Sequence, residues 1–243
     1  MRSVLSIISC VLAIVLAVPA LSAEPDVSAE EGEKRITGEA ADTVLSSLQA
    51  NFLKRPCVRA EIVSITNDPL LGAEKERGEM LLQIPQRFLR RFGPKDKPVK
   101  AWLLDGEAVR ESNTAQKTVN ELDFTKAPKK LALLRAAITM DADVLKDYFH
   151  LALFKKGEGE NAAWRLVLSR REDVKNPIDY KRIQARWGEG APFFSEIVRV
   201  PKTGEEDRAV ETFSKLQVVE KFTDADFKEP LLERKMVSKA IKD

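Results

Sequence analysis

The segment Phe194-Ser195-Glu196-Ile197-Val198-Arg199-Val200, the turn Lys202-Thr203-Gly204 and the run Ala209-Val210-Glu211-Thr212-Phe213 together decide the fold of this chain. Both runs contain the β-branched and aromatic residues that fit a pleated sheet. The glycine between them allows a tight reversal of the chain. Because so short a connection cannot join parallel strands, the segment predicts an antiparallel hairpin.

Similar runs recur over much of the chain. In the strand predicted for residues 77–85, Met80, Leu82 and Ile84 fall on one face. Asp105-Gly106 is a strong signal for a tight hairpin turn. Together these runs predict about nine to eleven antiparallel strands. The other predicted strands span residues 58–66, 87–92, 99–104, 108–112, 117–122, 164–170, 179–187 and 216–219.

Two regions follow a helical period instead. Val44, Leu45, Leu48 and Phe52 predict an amphipathic helix that begins near residue 40 and ends before Pro56. Asp141 is a candidate N-cap in the second region and divides it into helices over residues 128–138 and 142–155. The chain is therefore predicted to be α+β and mostly antiparallel β. The apolar face of the second region consists of Leu131, Leu134, Ile138, Leu145, Phe149 and Leu153.

The ends of the chain differ in composition from its centre. Residues 1–23 carry one basic residue, an apolar run and small residues at the end, which is the layout of a secretory signal peptide. An uncleaved N-terminal anchor is the alternative. Residues 24–39 are acidic and contain few large apolar groups, which predicts a flexible leader. The folded domain is then expected over residues 40–230, followed by a charged tail over residues 231–243.

The charge balance excludes some classes of partner. Only Arg2 of the 40 basic residues lies within residues 1–23, which leaves 39 basic against 38 acidic residues. A near-neutral chain has no long-range attraction to nucleic acid or to an anionic membrane surface. Cys57 is the single cysteine after residue 23, so no disulfide can form within the mature chain. We expect a monomer that binds no nucleic acid.

Catalytic patterns are absent from the sequence. His150 is its only histidine, and no small-residue elbow for a nucleophile accompanies it. Asp141-Ala142-Asp143 could hold a metal ion, but helix capping accounts for it more simply. No glycine-rich loop is present to cradle a phosphate. We expect neither an enzyme nor a bound metal or cofactor, and a secreted hydrolase is the competing interpretation.

The hairpin over residues 194–213, together with its continuation Ser214-Lys215-Leu216-Gln217-Val218, also carries a resemblance. With the later Asp224-Ala225-Asp226-Phe227 and Pro230, it resembles the C-terminal part of the LolA-like outer-membrane lipoprotein carrier proteins. The stretch from Gly78 to Phe88 is similar to the glycine, strand, proline and aromatic pattern of that family, and Leu104-Asp105-Gly106 to its hairpin. The stretch from Pro128 to Phe149 resembles its helical insertion. The similarity in element order covers most of residues 40–230.

This resemblance implies a curved, half-open barrel with an N-terminal helix and a helical lid. It implies a periplasmic carrier that binds acyl chains of lipoproteins or lipids and passes them from an inner-membrane exporter to an outer-membrane receptor. An envelope lipid sensor or regulator that acts through a protein partner is the alternative on the same fold. Members of the family place an arginine before the proline that ends the strand, whereas this chain has Ile84 there.

A curved sheet under a loose lid would leave its inward side chains around a hydrophobic cavity. A solid core built from the same residues is the alternative. The predicted lipid-binding lining comprises Met80, Leu82, Ile84, Phe88, Trp102, Leu104, Leu134, Ile138, Leu145, Phe149, Trp164, Leu166, Ile183 and Trp187.

Overall fold

The structure is a computed structural model that describes residues 27–68, 72–94, 97–106, 108–113, 117–174 and 180–240. The predicted signal peptide over residues 1–23 lies outside these residues. Within them, no helix is both long enough and apolar enough to cross a membrane.

The described chain forms one sheet of 13 strands. Along the sheet the strands follow the order β1-β8-β9-β10-β11-β12-β2-β3-β4-β5-β6-β7-β13. All neighbours pair antiparallel except β13, which runs parallel to β7. The strands are β1 (Glu33–Ile36), β2 (Cys57–Asp68), β3 (Gly72–Gln83), β4 (Arg87–Phe92), β5 (Lys100–Asp105), β6 (Ala108–Asn113), β7 (Thr118–Asp123), β8 (Phe149–Lys156), β9 (Ala163–Arg170), β10 (Tyr180–Gly188), β11 (Glu196–Pro201), β12 (Ala209–Val218) and β13 (Met236–Ala240).

Three α-helices lie among the described residues, and they cover one face of the sheet, called here the inner face. Leu45, Leu48 and Phe52 of the first helix are buried in the core there. The helices are α1 (Gly38–Lys54), α2 (Pro128–Thr139) and α3 (Ala142–Lys146), and short 3-10 turns span Gly159–Asn161, Glu205–Asp207 and Pro230–Leu232.

The mostly antiparallel sheet confirms the predicted class, but the predicted count of nine to eleven strands is wrong. One extra strand comes from the segment predicted as the helix 142–155, where α3 ends at Lys146 and Phe149–Lys156 forms β8. Leu145, Phe149 and Leu153 are four residues apart, and this spacing fits one face of a strand as well as one face of a helix. Backbone pairing with both β9 and β1 stabilises the strand, so these residues form β8 rather than a helix.

The segment predicted as a flexible leader is ordered over its described part. Residues Glu33–Ile36 form β1 at one edge of the sheet. The carboxylate of Glu33 accepts hydrogen bonds from Arg165, and the two side chains are only 4 % and 5 % exposed. Val27 packs on Phe154 and Val167 on the outer face. The prediction failed because an acidic segment with little apolar surface can still be held by backbone pairing with β8 and by ion pairs with Arg165 and Arg186.

The predicted charged tail over residues 231–243 is likewise ordered in its described part. Leu231 and Leu232 join Phe222 and Phe227 in a second apolar cluster on the outer face. Residues Met236–Ala240 form β13 and close that edge of the sheet beside β7. This second cluster packs on Leu81, Leu89 and Leu103. The residues next to these leucines in each strand point to the inner face, so the leucines point to the outer face.

The sheet curves strongly around its inner face. Strands β10 and β6 are seven positions apart in the sheet, which corresponds to about 34 Å for a flat sheet at about 4.8 Å per strand. Residues of both strands nevertheless line a single small cavity. The sheet must therefore bend around the inner face, in agreement with the curved architecture that the family resemblance implies.

We predict that Gly78→Ala destabilises the protein by about 1–3 kcal/mol, because the added methyl group would overlap the backbone of β4. A Cβ at this position would lie 2.9 Å from the carbonyl carbon of Arg91 and from the Cα of Phe92. It would lie closer still to the carbonyl oxygen of Arg91. Urea unfolding followed by circular dichroism measures the effect. Gly188→Ala is the matched control, because a Cβ there meets no atom within 4 Å. Equal urea midpoints for the two variants would contradict the close approach of the β4 backbone to Gly78 in β3.

Candidate functional site

A cavity of about 180 Å³ lies between α2 and the inner face of the sheet. Leu134, Ala137 and Ile138 of α2 form one wall, and Met140 closes the end of the helix. The opposite wall is contributed by strands from both halves of the sheet. Its residues are Leu82, Phe88, Arg90, Trp102, Val109, Glu111, Leu122, Leu168, Tyr180, Ile183, Ala185, Phe193, Phe194, Ile197, Arg199, Glu211 and Phe213, with Lys130 from the first turn of α2.

The structure brings only part of the predicted lining to this cavity. The six predicted residues that line it are Leu82, Phe88, Trp102, Leu134, Ile138 and Ile183. The other eight lie in the same apolar core without reaching the cavity, namely Met80, Ile84, Leu104, Leu145, Phe149, Trp164, Leu166 and Trp187. A lipid-binding role for any of the fourteen stays a prediction.

Aromatic side chains fill the space where several of these eight residues lie. The ring of Phe52 from α1 lies 5.6 Å from that of Phe193 and 5.2 Å from that of Phe194. Trp187 packs edge-on against Phe194 at 5.8 Å and stacks with Trp164 at 6.4 Å. Offset and edge-to-face packing of this kind excludes water and leaves little free volume. The inner face is therefore tightly packed around Phe52 of α1, whereas a cavity lies under α2.

The hollow part contains buried charges, which the sequence prediction missed. Arg90 of β4 and Arg199 of β11 both donate to the same carboxylate oxygen of Glu211, with 2.6 Å between Arg199 Nη2 and Glu211 Oε1. The Arg90 side chain is 8 % exposed and that of Glu211 is 5 % exposed. The guanidinium of Arg90 also lies over the rings of Trp102, at 5.1 Å, and Phe88, at 5.7 Å. A cation on an aromatic face is favourable when it is desolvated.

The two arginines control the ionisation of Glu211. Burial alone would raise the pKa of this carboxyl group, but attraction to Arg199 and Arg90 outweighs burial and holds the pKa below its ordinary value. Glu211 is therefore ionised at neutral pH. Because the folded-state pKa is the lower one, its contribution to stability is present at neutral pH and is lost as the pH falls through that value.

Glu111 of β6 is a second buried carboxyl group in the lining. Burial raises its pKa to about 7, and the nearby cations Lys100 and Arg90 oppose that shift only in part. Glu111 therefore changes its charge close to neutral pH. The cavity thus combines apolar walls with one titratable acid and one permanently charged cluster.

Strand alternation is the signal that could have located these charges. Arg90 stands between Leu89 and Arg91 in β4, two residues from Phe88 and two from Phe92, so it shares their inward face. Glu211 stands two residues before Phe213 of β12 in the same way. The sequence did not reveal that the two would meet, because they are 121 residues apart.

Residues that could carry other chemistry do not converge. Among the described residues, no group of three or more His, Cys, Asp and Glu side chains is placed to hold a metal ion. His150 lies on β8 rather than on the predicted helix, and Cys57 is buried where β2 begins. A wider open groove of about 990 Å³ follows β2, β3 and β4, but charged side chains such as Arg91 and Glu79 pair with each other there.

Comparisons with known proteins define the fold alone. No protein-family model matches the sequence, and no curated protein matches it. An uncharacterized conserved protein from Thermus thermophilus is similar in structure, with a TM-score of 0.50 and 12 % identity over 83 % of this chain and 100 % of that one.

Two further structures carry names from the family that the sequence resembles. The LolA superfamily protein NE2245 from Nitrosomonas europaea has a TM-score of 0.41 and 10 % identity over 78 % of this chain and 97 % of that one. A putative outer membrane lipoprotein-sorting protein domain from Vibrio parahaemolyticus has a TM-score of 0.40 and 9 % identity over 78 % of this chain and 100 % of that one.

We predict that Glu211→Gln destabilises the protein by about 3–5 kcal/mol, because it leaves two buried guanidinium groups without their shared counter-charge. Glu61→Gln is the matched control, since Glu61 and its partner Lys215 are 55 % and 71 % exposed and such pairs contribute less than about 1 kcal/mol. Urea midpoints at pH 7 measure both variants. Similar losses of stability in the two variants would show that the buried carboxylate matters no more to folding than an exposed one.

Proposed function

We propose that this protein binds one acyl chain of a lipoprotein or lipid in the cavity under α2 and carries it outside the cytoplasm. The observation that carries this proposal is the cavity itself, a hollow with mostly apolar walls beneath a single covering helix. Around it, aromatic and aliphatic side chains pack into the apolar core of the inner face. A hydrocarbon chain suits such walls because it needs no directional partners.

The size of the cavity limits the ligand. About 180 Å³ exceeds the volume of about 150 Å³ in which an apolar cavity accepts benzene. It is below the range of about 300–1,000 Å³ that is common for sites enclosing a drug-sized molecule. The cavity in this form therefore accepts part of one chain rather than a whole two-chain lipid. Each buried methylene contributes about 0.8 kcal/mol, so binding of one chain is reversible.

Helix α2, which covers the cavity, is weakly stabilised at its N-terminus. Ala127 at its N-cap makes no side-chain capping hydrogen bond, and no acidic residue lies in its first turn. Lys129 and Lys130 stand there instead, at the end where the helix dipole disfavours positive charge. The first turn of α2 is therefore the weakest part of the cover, whereas buried residues such as Leu131 and Leu133 hold the helix on the core.

The proposed site of action is the periplasm, and it rests on the signal-like sequence of residues 1–23. In that compartment a carrier would receive its cargo from an inner-membrane exporter and deliver it to an outer-membrane receptor. The envelope sensor remains the second candidate, because it would use the same cavity. A stable complex between the lipid-loaded protein and a membrane-protein domain would favour the sensor over the carrier.

We predict that Ala137→Phe abolishes binding of a fluorescent acyl probe, because the ring would occupy the space beside Ile138 that the chain needs. Displacement of the probe from the unmodified protein by decanol, followed by fluorescence, establishes the binding site. Ala50→Phe is the control, since Ala50 is exposed on α1 and away from the cavity.

Unfolding midpoints accompany this comparison, so that a binding loss is not confused with unfolding. The same binding by both variants, or no binding of probe and no copurified lipid in mass spectra of the unmodified protein, would count against the acyl-chain proposal.

A further inference from the structure

We infer that the ligand of this cavity is an anionic single-chain amphiphile, a fatty acid, whose carboxylate pairs with Arg90 while its chain lies under α2. This inference rests on the proposed function, since it specifies the head group of the molecule that the cavity would bind. It makes Arg90 the residue that determines specificity between a fatty acid and a neutral lipid of the same length.

The first reason is the position of Arg90. Its side chain belongs to the cavity lining, is 8 % exposed and lies over two aromatic rings that belong to the same lining. One guanidinium nitrogen binds Glu211, whereas Nε has no hydrogen-bond partner among the described residues. A guanidinium presents a planar fork of donors that fits a carboxylate. An incoming carboxylate would satisfy a buried donor that is otherwise left without a partner.

The second reason is the charge of the cluster. Two guanidinium groups share one carboxylate, so these three groups carry a formal charge of +1. A net charge away from water is costly unless a counter-charge balances it. A carboxylate head group would supply that charge inside the cavity. A cationic or neutral head group would leave the positive charge of the cluster unbalanced.

The third reason is the combination of size and polarity. The charged groups and the apolar wall formed by Leu134 and Ile138 border the same hollow of about 180 Å³. A head group at Arg90 therefore leaves room beside it for one narrow chain. A phospholipid would need space for a phosphate, a glycerol unit and a second chain, which this volume does not provide. A fatty acid of medium length meets both requirements.

Glu111 gives the inferred site a dependence on pH. The charged groups near it come from several elements, namely Arg90 of β4, Lys100 of β5, Lys130 of α2, Arg199 of β11 and Glu211 of β12. Its carboxyl group is neutral below its pKa of about 7 and negative above that value. A fatty acid is ionised throughout this range. We therefore expect its affinity to fall as the pH rises from about 6 to about 8.

The test compares octanoate with octan-1-ol by calorimetry on the full mature chain at pH 6.5. We expect octanoate to bind at least about tenfold more tightly, since a charge-assisted pair distinguishes the two head groups. Arg90→Met should remove this preference while octan-1-ol still binds. Lys215→Met, which removes an exposed charge, is the control and should keep the preference.

A second measurement follows the pH dependence of octanoate binding in the unmodified protein and in Glu111→Gln. It tests the inference even if Arg90→Met fails to fold. The affinity of octanoate should fall between pH 6 and pH 8 for the unmodified protein and stay nearly constant for Glu111→Gln. Equal affinity for octanoate and octan-1-ol would overturn the inference and leave the acyl-chain proposal standing. Binding of neither compound would overturn both, and an unchanged preference in Arg90→Met would remove Arg90 from the head-group site.

Discussion

The contact between Arg90 and Glu211 is the interaction on which the inner face of this protein depends. The two residues belong to β4 and β12, which β2 and β3 separate in the sheet. Three strand spacings amount to about 14 Å in a flat sheet, and curvature toward the inner face shortens the distance that the two side chains must span. Between them, Gly78 of β3 has no side chain, which leaves room for the backbone of Arg91 and Phe92 in β4. Curvature of the sheet and pairing of these charges therefore support each other.

Most of the sheet could be predicted from local sequence, because the alternation of apolar and polar side chains along a strand and the residues of a turn are local properties. The Asp105-Gly106 turn is an example: it joins β5 to β6, and Gly106 has the positive φ of 62° that such a turn needs. The first predicted helix, near residue 40 to Pro56, agrees with α1. Residues Glu33–Ile36 and Met236–Ala240 could not be predicted in this way. Each is a short edge strand whose existence depends on a distant partner, β8 or β7.

The candidate site shows a second limit of sequence reasoning. Alternation correctly placed Leu82, Phe88 and Trp102 on the inner face, yet it could not show which part of that face is filled. The filling depends on Phe52 of α1, whose ring meets Phe193 and Phe194 from a distant loop. Free volume is a property of the assembled core rather than of any single strand. For this reason the predicted lining and the observed cavity coincide only under α2.

The buried charges argue that the hollow is more than a packing defect. A buried ion pair contributes little to stability, and apolar side chains of similar volume often serve equally well or better. An apolar cavity also needs no charges to bind a plain hydrocarbon chain. Arg90, Arg199 and Glu211 nevertheless lie among the apolar groups that line the cavity. These three groups have a net positive charge, and Arg90 Nε has no hydrogen-bond partner among the described residues. Stability alone does not require a net charge at this place, whereas the proposed recognition of an anionic head group accounts for it. The charges and the cavity are therefore better understood as parts of one site than as two unrelated features of the core.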